Sequence, residues 1–150
     1  ADAKTFIETY FTIYQGVKTF MEATKEFVRA HGYAETLFGR RRQFPDIKSP
    51  LPQLRAQAER MAINMPVQGT DADLMKLAMI EVDAILPILS PKSRLLLQVH
   101  DELVLEVPPE DVERVAASVK RTMEQIREIG VPILVEAKTG IYWDEMTPLL

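Results

Sequence analysis

The stretch that most narrows what this chain can fold into is Arg94 to Val107, Arg-Leu-Leu-Leu-Gln-Val-His-Asp-Glu-Leu-Val-Leu-Glu-Val. Leu95, Leu96, Leu97 and Val99 read as one buried strand, and Leu103, Val104, Leu105 and Val107 as another. Only His100-Asp101-Glu102 lies between them, too little for a loop, so the sequence predicts a tight antiparallel hairpin with adjacent carboxylates at its tip. Two readings of that tip stand side by side. Asp is a common turn residue and Glu102 can simply face water; the tripeptide by itself favours this. Alternatively, carboxylates set between apolar strands are partly desolvated and call for a cation. Mg²⁺, a hard ion usually held by one or two carboxylates together with substrate phosphates, meets that need.

Around the hairpin the sequence predicts mostly helix. Phe6, Tyr10, Ile13 and Tyr14 recur at helical spacing with Asp2 placed to cap the start. Gln15-Gly16 breaks the pattern, and Val17, Phe20, Met21, Thr24, Phe27 and Val28 resume it up to Gly32, a suitable helix-ending residue. Tyr33–Phe38 and Arg41–Phe44 read as a small hairpin, followed by a loop from Pro45 to Pro52 with three prolines. A helix from Leu54 to Met65 is expected to stop or kink at Pro66 and to restart at Gly69-Thr70, with Thr70 and Asp73 as a variant capping box. From Leu74 to Leu86 nearly every position is apolar, which predicts a buried central helix under the hairpin. Pro108-Pro109-Glu110-Asp111 opens a further amphipathic helix running to Gly130, and Ile133–Ala137 reads as a last strand. The predicted class is α+β, with helices packed on a small, mostly antiparallel sheet.

Arg60 and Asn64 are four apart and Gln68 another four, so the helical pattern puts them on one side. Arg, Asn and Gln suit phosphates, sugars and base-edge acceptors; they equally suit an ordinary wet helix face. Arg40-Arg41-Arg42 is either a solvated loop or a phosphate contact. A net charge of -4 argues mildly against nucleic acid, but the charge is uneven, with acidic residues gathered around Glu106 to Glu113. The 150 residues suffice for one ordinary domain with a core. No apolar run approaches the roughly 20 residues that span a bilayer. With no cysteine, disulfides and thiolate metal sites are excluded, which fits a reducing compartment. An opening with neither a leader nor a polar tail is expected of a piece of a longer protein.

Several ordered blocks then carry a resemblance. Thr36–Arg42, Glu59–Thr70, Asp73–Met79 and Gln98–Val104, ending with Trp143, are closely similar to the carboxyl-terminal part of family A DNA polymerases, the bacterial DNA polymerase I type. The resemblance implies that residues 1–50 are fingers-side helices with a small hairpin, and that residues 51–150 are a palm part carrying the His-Asp-Glu hairpin. It makes Asp101 one of two aspartates that hold two Mg²⁺ ions, with Glu102 beside it at the metal site or the primer end. It brings His100 to the primer strand near its 3′ end and turns Arg60, Asn64 and Gln68 to the primer–template minor groove. Arg41, within the basic run, is expected near the nucleic-acid backbone. The implied activity is template-directed addition of deoxynucleotides to a primer 3′ end, in replication and repair, in the bacterial cytoplasm at the nucleoid. The family's first metal-binding aspartate and its triphosphate-gripping fingers helix are absent from these residues, and Asp71 and Gln15 stand where alanine and proline are common. The chain alone is therefore expected to be inactive, with primer–template DNA, deoxynucleoside triphosphates and an amino-terminal polymerase part as partners. The alternatives are a non-catalytic primer–template-binding or assembly module that complements a separate chain, and an independent Mg²⁺ hydrolase recruiting Glu106, Glu59 or Asp73.

Overall fold

The computed structural model describes residues 2–149. The chain divides into two compact units, Ala1–Thr70 and Asp71–Leu150. The described elements are α-helices and three separate two-stranded antiparallel ladders, an α+β architecture.

In the first unit, helix α1 (Ala3–Ile13) is capped by the Asp2 carboxylate, which accepts from the Lys4 N–H at 3.4 Å. Helix α2 (Gln15–His31) ends at Gly32, whose φ of +80° lets its N–H turn back to the Val28 carbonyl. That left-handed conformation is the one a side chain disfavours, which is why glycine suits the position. Strands β1 (Tyr33–Glu35) and β2 (Arg41–Gln43) pair in the register Tyr33–Gln43, Ala34–Arg42, Glu35–Arg41. The three-proline loop closes as a 3₁₀ turn, Pro45–Lys48, that plants Ile47 in the core. Val28, Ala34, Phe44, Ile47, Ala58, Ala62 and Met65 make up that core. Ala58, Ala62 and Met65 follow helical spacing, so one stripe of the next helix is buried and its opposite side stays wet.

That next helix, α3 (Pro52–Leu89), corrects the sequence reading. It continues through Pro66 and Gly69-Thr70, where a stop or kink and a restart were expected, and runs on past Leu86 and Pro87 to Leu89. Thr70 caps nothing. Its hydroxyl donates to the Pro66 carbonyl at 2.5 Å and accepts from the Leu37 N–H at 3.0 Å. Proline removes one helical hydrogen bond and crowds the carbonyl four residues back, but tertiary ties at the following turn hold the helix together. The expectation of a buried helix from Leu74 to Leu86 holds for only one stripe. Ala78, Val82 and Leu86 form a single buried stripe, while Ile80 is 65% exposed.

In the second unit, β3 (Arg94–Val99) and β4 (Glu102–Glu106) form the predicted hairpin, with a bulge between Leu95 and Leu97. Its apolar side, with Leu95, Leu103 and Leu105, packs on Val82 and Leu86 of α3 and on Val115 and Val119 of α4 (Val112–Glu124). Helix α4 starts where the Pro-Pro-Glu-Asp signature put it, after a 3₁₀ turn at Pro109–Asp111, but ends at Glu124 rather than Gly130. The predicted strand Ile133–Ala137 is likewise not formed. The Val135 N–H donates to Glu124 Oε1 at 3.1 Å, and Lys120 donates to the Val135 carbonyl, so the segment is tied to the end of α4 instead of to a strand. Downstream, β5 (Lys138–Thr139) pairs with β6 (Thr147–Pro148).

A polar chain that starts at the buried Ser93 and Ser90 ties the end of α3 to the 3₁₀ turn and α4. Ser93 donates to Ser90, and Ser90 donates to Asp111 Oδ2, each at 2.7 Å, with Arg114 on the other carboxylate oxygen. The Ser90 hydroxyl and then Arg114 hold the Asp111 carboxyl below its usual range; the Val135 N–H and then Lys120 do the same for Glu124. A carboxyl whose pKa is depressed on folding adds stability above its unfolded pKa, and that stability is lost as pH falls through the folded value. Thermal unfolding followed by calorimetry should therefore show the midpoint dropping as pH is lowered through and below about 4. Asp111→Ala should flatten this dependence without erasing it, because Glu124 remains.

Candidate functional site

The hairpin tip is a two-residue turn, His100-Asp101, closed by the pair Val99–Glu102. His100 has φ +54°, and no other described non-glycine residue has a positive φ. In that region the side chain crowds the backbone at a cost of roughly 1–2 kcal/mol, and such residues cluster at functional sites. Gln98 donates its amide to the His100 carbonyl and so braces the turn from the strand below. Sequence reasoning quoted Gln98 only as part of a block; the signal that singles it out is its place two residues before the strained turn. His100, Asp101 and Glu102 are all exposed. Among the described residues no hydrogen bond or ion pair engages the side chain of Asp101 or Glu102, so both carboxylates are free to meet a cation arriving with its own waters or with phosphates, the manner in which Mg²⁺ is usually bound.

The hydrolase alternative finds no support at this tip. Glu106 pairs with Arg94 at the base of the hairpin, four residues and about 13 Å along the strand from Glu102. Glu59 lies in the other unit, held by Arg29 at 2.6 Å. Among the described residues, no group of three His, Asp or Glu side chains is placed to hold a metal.

On α3, the helix continues across Pro66 and carries the second set. Arg60, Asn64 and Gln68 are exposed at successive four-residue intervals, opposite the buried stripe of Ala58, Ala62 and Met65. Each step advances about 6 Å and turns about 40°, so the three side chains make one polar file on the surface of the first unit.

The three arginines part company. Arg40 points back to α3, donating to the Gly69 carbonyl at 2.8 Å. Arg41 donates to Glu35 at 2.9 Å and covers the Tyr33 ring at 4.4 Å; that hydrogen bond to the Glu35 carboxylate raises its pKa further. Its terminal nitrogens still carry donors. Arg42 is exposed and lies 5.5 Å from the centre of the Phe44 ring. The structure thus gathers His100, Asp101 and Glu102 at one tip in the second unit, sets Arg60, Asn64 and Gln68 along α3 in the first, and places Arg41 on β2 of that first unit against Glu35 and Tyr33.

A family model described as DNA polymerase family A matches residues 1–145, a span that includes both sets. The chain belongs to DNA polymerase family A. Among relatives of this family, DNA polymerase I of Lactococcus lactis subsp. cremoris is 49% identical over 144 residues, covering 96% of this chain and 16% of the relative. Thermostable DNA polymerase I of Thermus thermophilus is 52% identical over 142 residues, 95% of this chain and 17% of the relative. The family A chain thus spans 16–17% of the length of these curated relatives. Among solved structures, the POL domain of Pol1 from M. smegmatis, in complex with DNA primer-template and dNTP, superimposes with a TM-score of 0.82 at 40% identity. The match covers 87% of this chain and 23% of that one. No described helix is long and apolar enough to cross a membrane.

Proposed function

We propose that this chain is the carboxyl-terminal portion of a DNA-directed DNA polymerase, contributing primer–template contacts and part of a metal site to template-directed nucleotide addition. The observation that carries the reading is the match, over nearly all of this chain, to a polymerase domain solved with primer-template and dNTP. The fingers-side part is residues 1–50 and the palm part residues 51–150. Asp101 is the residue best suited to hold Mg²⁺, with Glu102 beside it. When bound, divalent ions lower the pKa of an attacking hydroxyl and neutralise charge on the leaving pyrophosphate. His100, held in its strained turn, meets the primer strand near the 3′ end. Arg60, Asn64 and Gln68 follow the minor groove, where acceptors are nearly alike for every base pair, as an enzyme that copies any sequence requires. Arg41 offers its terminal nitrogens to a backbone phosphate. Two carboxylates at one exposed tip are too few ligands for two metal ions, so these 150 residues alone bind primer–template without extending it.

The test is primer–template binding by the purified chain, followed by fluorescence anisotropy at several salt concentrations. Binding should weaken steadily with salt. Replacing Arg60, Asn64 and Gln68 together by alanine should weaken it about tenfold or more, since each lost contact is worth roughly 1 kcal/mol. A triple variant that binds as tightly as the parent would overturn the minor-groove assignment. A second reading, a non-catalytic binding or assembly module that complements a separate chain, is favoured by the short carboxylate set. It differs in predicting that Asp101 is dispensable after mixing with that chain.

A further inference from the structure

Several ties between the β1–β2 connection and α3 gather on one turn of the helix, the turn just after Pro66. The Thr70 hydroxyl bridges the Pro66 carbonyl and the Leu37 N–H. Arg40 donates to the Gly69 carbonyl. A Cβ on Gly69 would stand 2.7 Å from Thr36 Cγ2 and 2.9 Å from Met65 Sδ, so the connection lies directly against the helix. Thr36 is buried, and its hydroxyl accepts from the Phe38 and Arg40 N–H groups, each at 3.2 Å, which shapes the connection that delivers Arg40.

Pro66 is where an isolated helix would bend, and it lies between Asn64 and Gln68. Proline is among the few causes of helix kinks sharper than about 20°, and a kink of that size would swing Gln68 out of file with the residues before the bend. We propose that Thr70 and Arg40 are positioning residues: they brace α3 from the β1–β2 connection so that Gln68 stays aligned with Arg60 and Asn64. Its functional half rests on the primer–template reading given above; its structural half does not.

Amide hydrogen exchange over Val67–Thr70 in the full chain reads the brace without DNA. Thr70→Val keeps the shape and removes the hydroxyl. It should accelerate exchange there about tenfold, the loss of one net hydrogen bond, while Thr70→Ser, which keeps the hydroxyl, should restore the parent rate. Should Thr70→Val fail to fold, Arg40→Met is read in the same way. Unchanged exchange in the folded variant would overturn the brace.

A double-mutant cycle on primer–template affinity then reads its consequence. Thr70→Val should weaken binding several-fold in the parent and leave a Gln68→Ala background unchanged, because both act through Gln68. Additive losses would overturn the link to Gln68. If Gln68→Ala alone changes nothing while exchange still accelerates, it is the minor-groove reading that falls and the brace that stands.

Discussion

Asp101→Asn should abolish primer extension in a reaction where this chain is mixed with a separately expressed amino-terminal polymerase part, and the parent chain should extend primers only in that mixture. The side chain is exposed at the hairpin tip and engages no described partner, so the substitution should leave folding unchanged. It removes half a unit of charge from each of two ligand oxygens, where metal ions and a developing alkoxide would need it. Charge stabilisation by a metal is worth several kcal/mol, so a loss on the order of a thousandfold is expected, at about 1.4 kcal/mol per factor of ten. Glu102→Gln should cost less, because Glu102 already lies in β4 beside the turn. The measurement is single-nucleotide extension with Mg²⁺, with circular dichroism as the folding control. Extension by the chain alone would place a complete metal site inside these residues and overturn the two-carboxylate account. Undiminished extension by the Asp101→Asn mixture would favour the complementing module without chemistry.

Leu86→Ala should produce the second large effect, this time on stability. Leu86 is 3% exposed and packs with Val82, Val115 and Val119 under the hairpin. Truncating a buried leucine costs about 2–5 kcal/mol, more where the neighbours cannot close the gap. Here helix α3, helix α4 and the hairpin meet at that side chain, and small shifts in one cannot fill a hole walled by the other two. Against a typical total of about 5–15 kcal/mol, that is a large share of the stability that keeps the hairpin on its seat. The strained His100 turn would lose its support with it. Chemical denaturation should show a lower midpoint, and extension in the mixture should fall although no residue at the tip has changed. Leu86→Met, which conserves volume, should cost less than about 1.5 kcal/mol; an equal loss from both would mean that the packing argument is wrong.

Local rules made much of this molecule legible. Two apolar runs with almost nothing between them can only fold back on each other, so the hairpin and its carboxylate tip were readable from Arg94–Val107. The Asp2 cap, the Gly32 stop and the Pro-Pro-Glu-Asp start each follow from one residue's backbone chemistry. The polar file on α3 was readable as spacing, but its continuity was not, because Pro66 argues for a break. The blocks shared with family A polymerases named the candidate residues more directly than spacing did.

What the sequence by itself determined is the α+β class and the order of most elements, because these depend on side-chain period and turn chemistry over a few neighbours; the candidate residues for DNA and metal are named by the resemblance to family A polymerases. Only the tertiary structure decided that α3 continues through Pro66, that Arg40 serves the Gly69 carbonyl, that α4 ends at Glu124, and that Ile133–Ala137 forms no strand. In each case a contact between residues at least 11 positions apart, Leu37 with Thr70, Arg40 with Gly69, Val135 with Glu124, outweighs or replaces a local preference. A single hydrogen bond of about 1 kcal/mol rivals most intrinsic propensities, so where the chain returns on itself the distant partner sets the outcome.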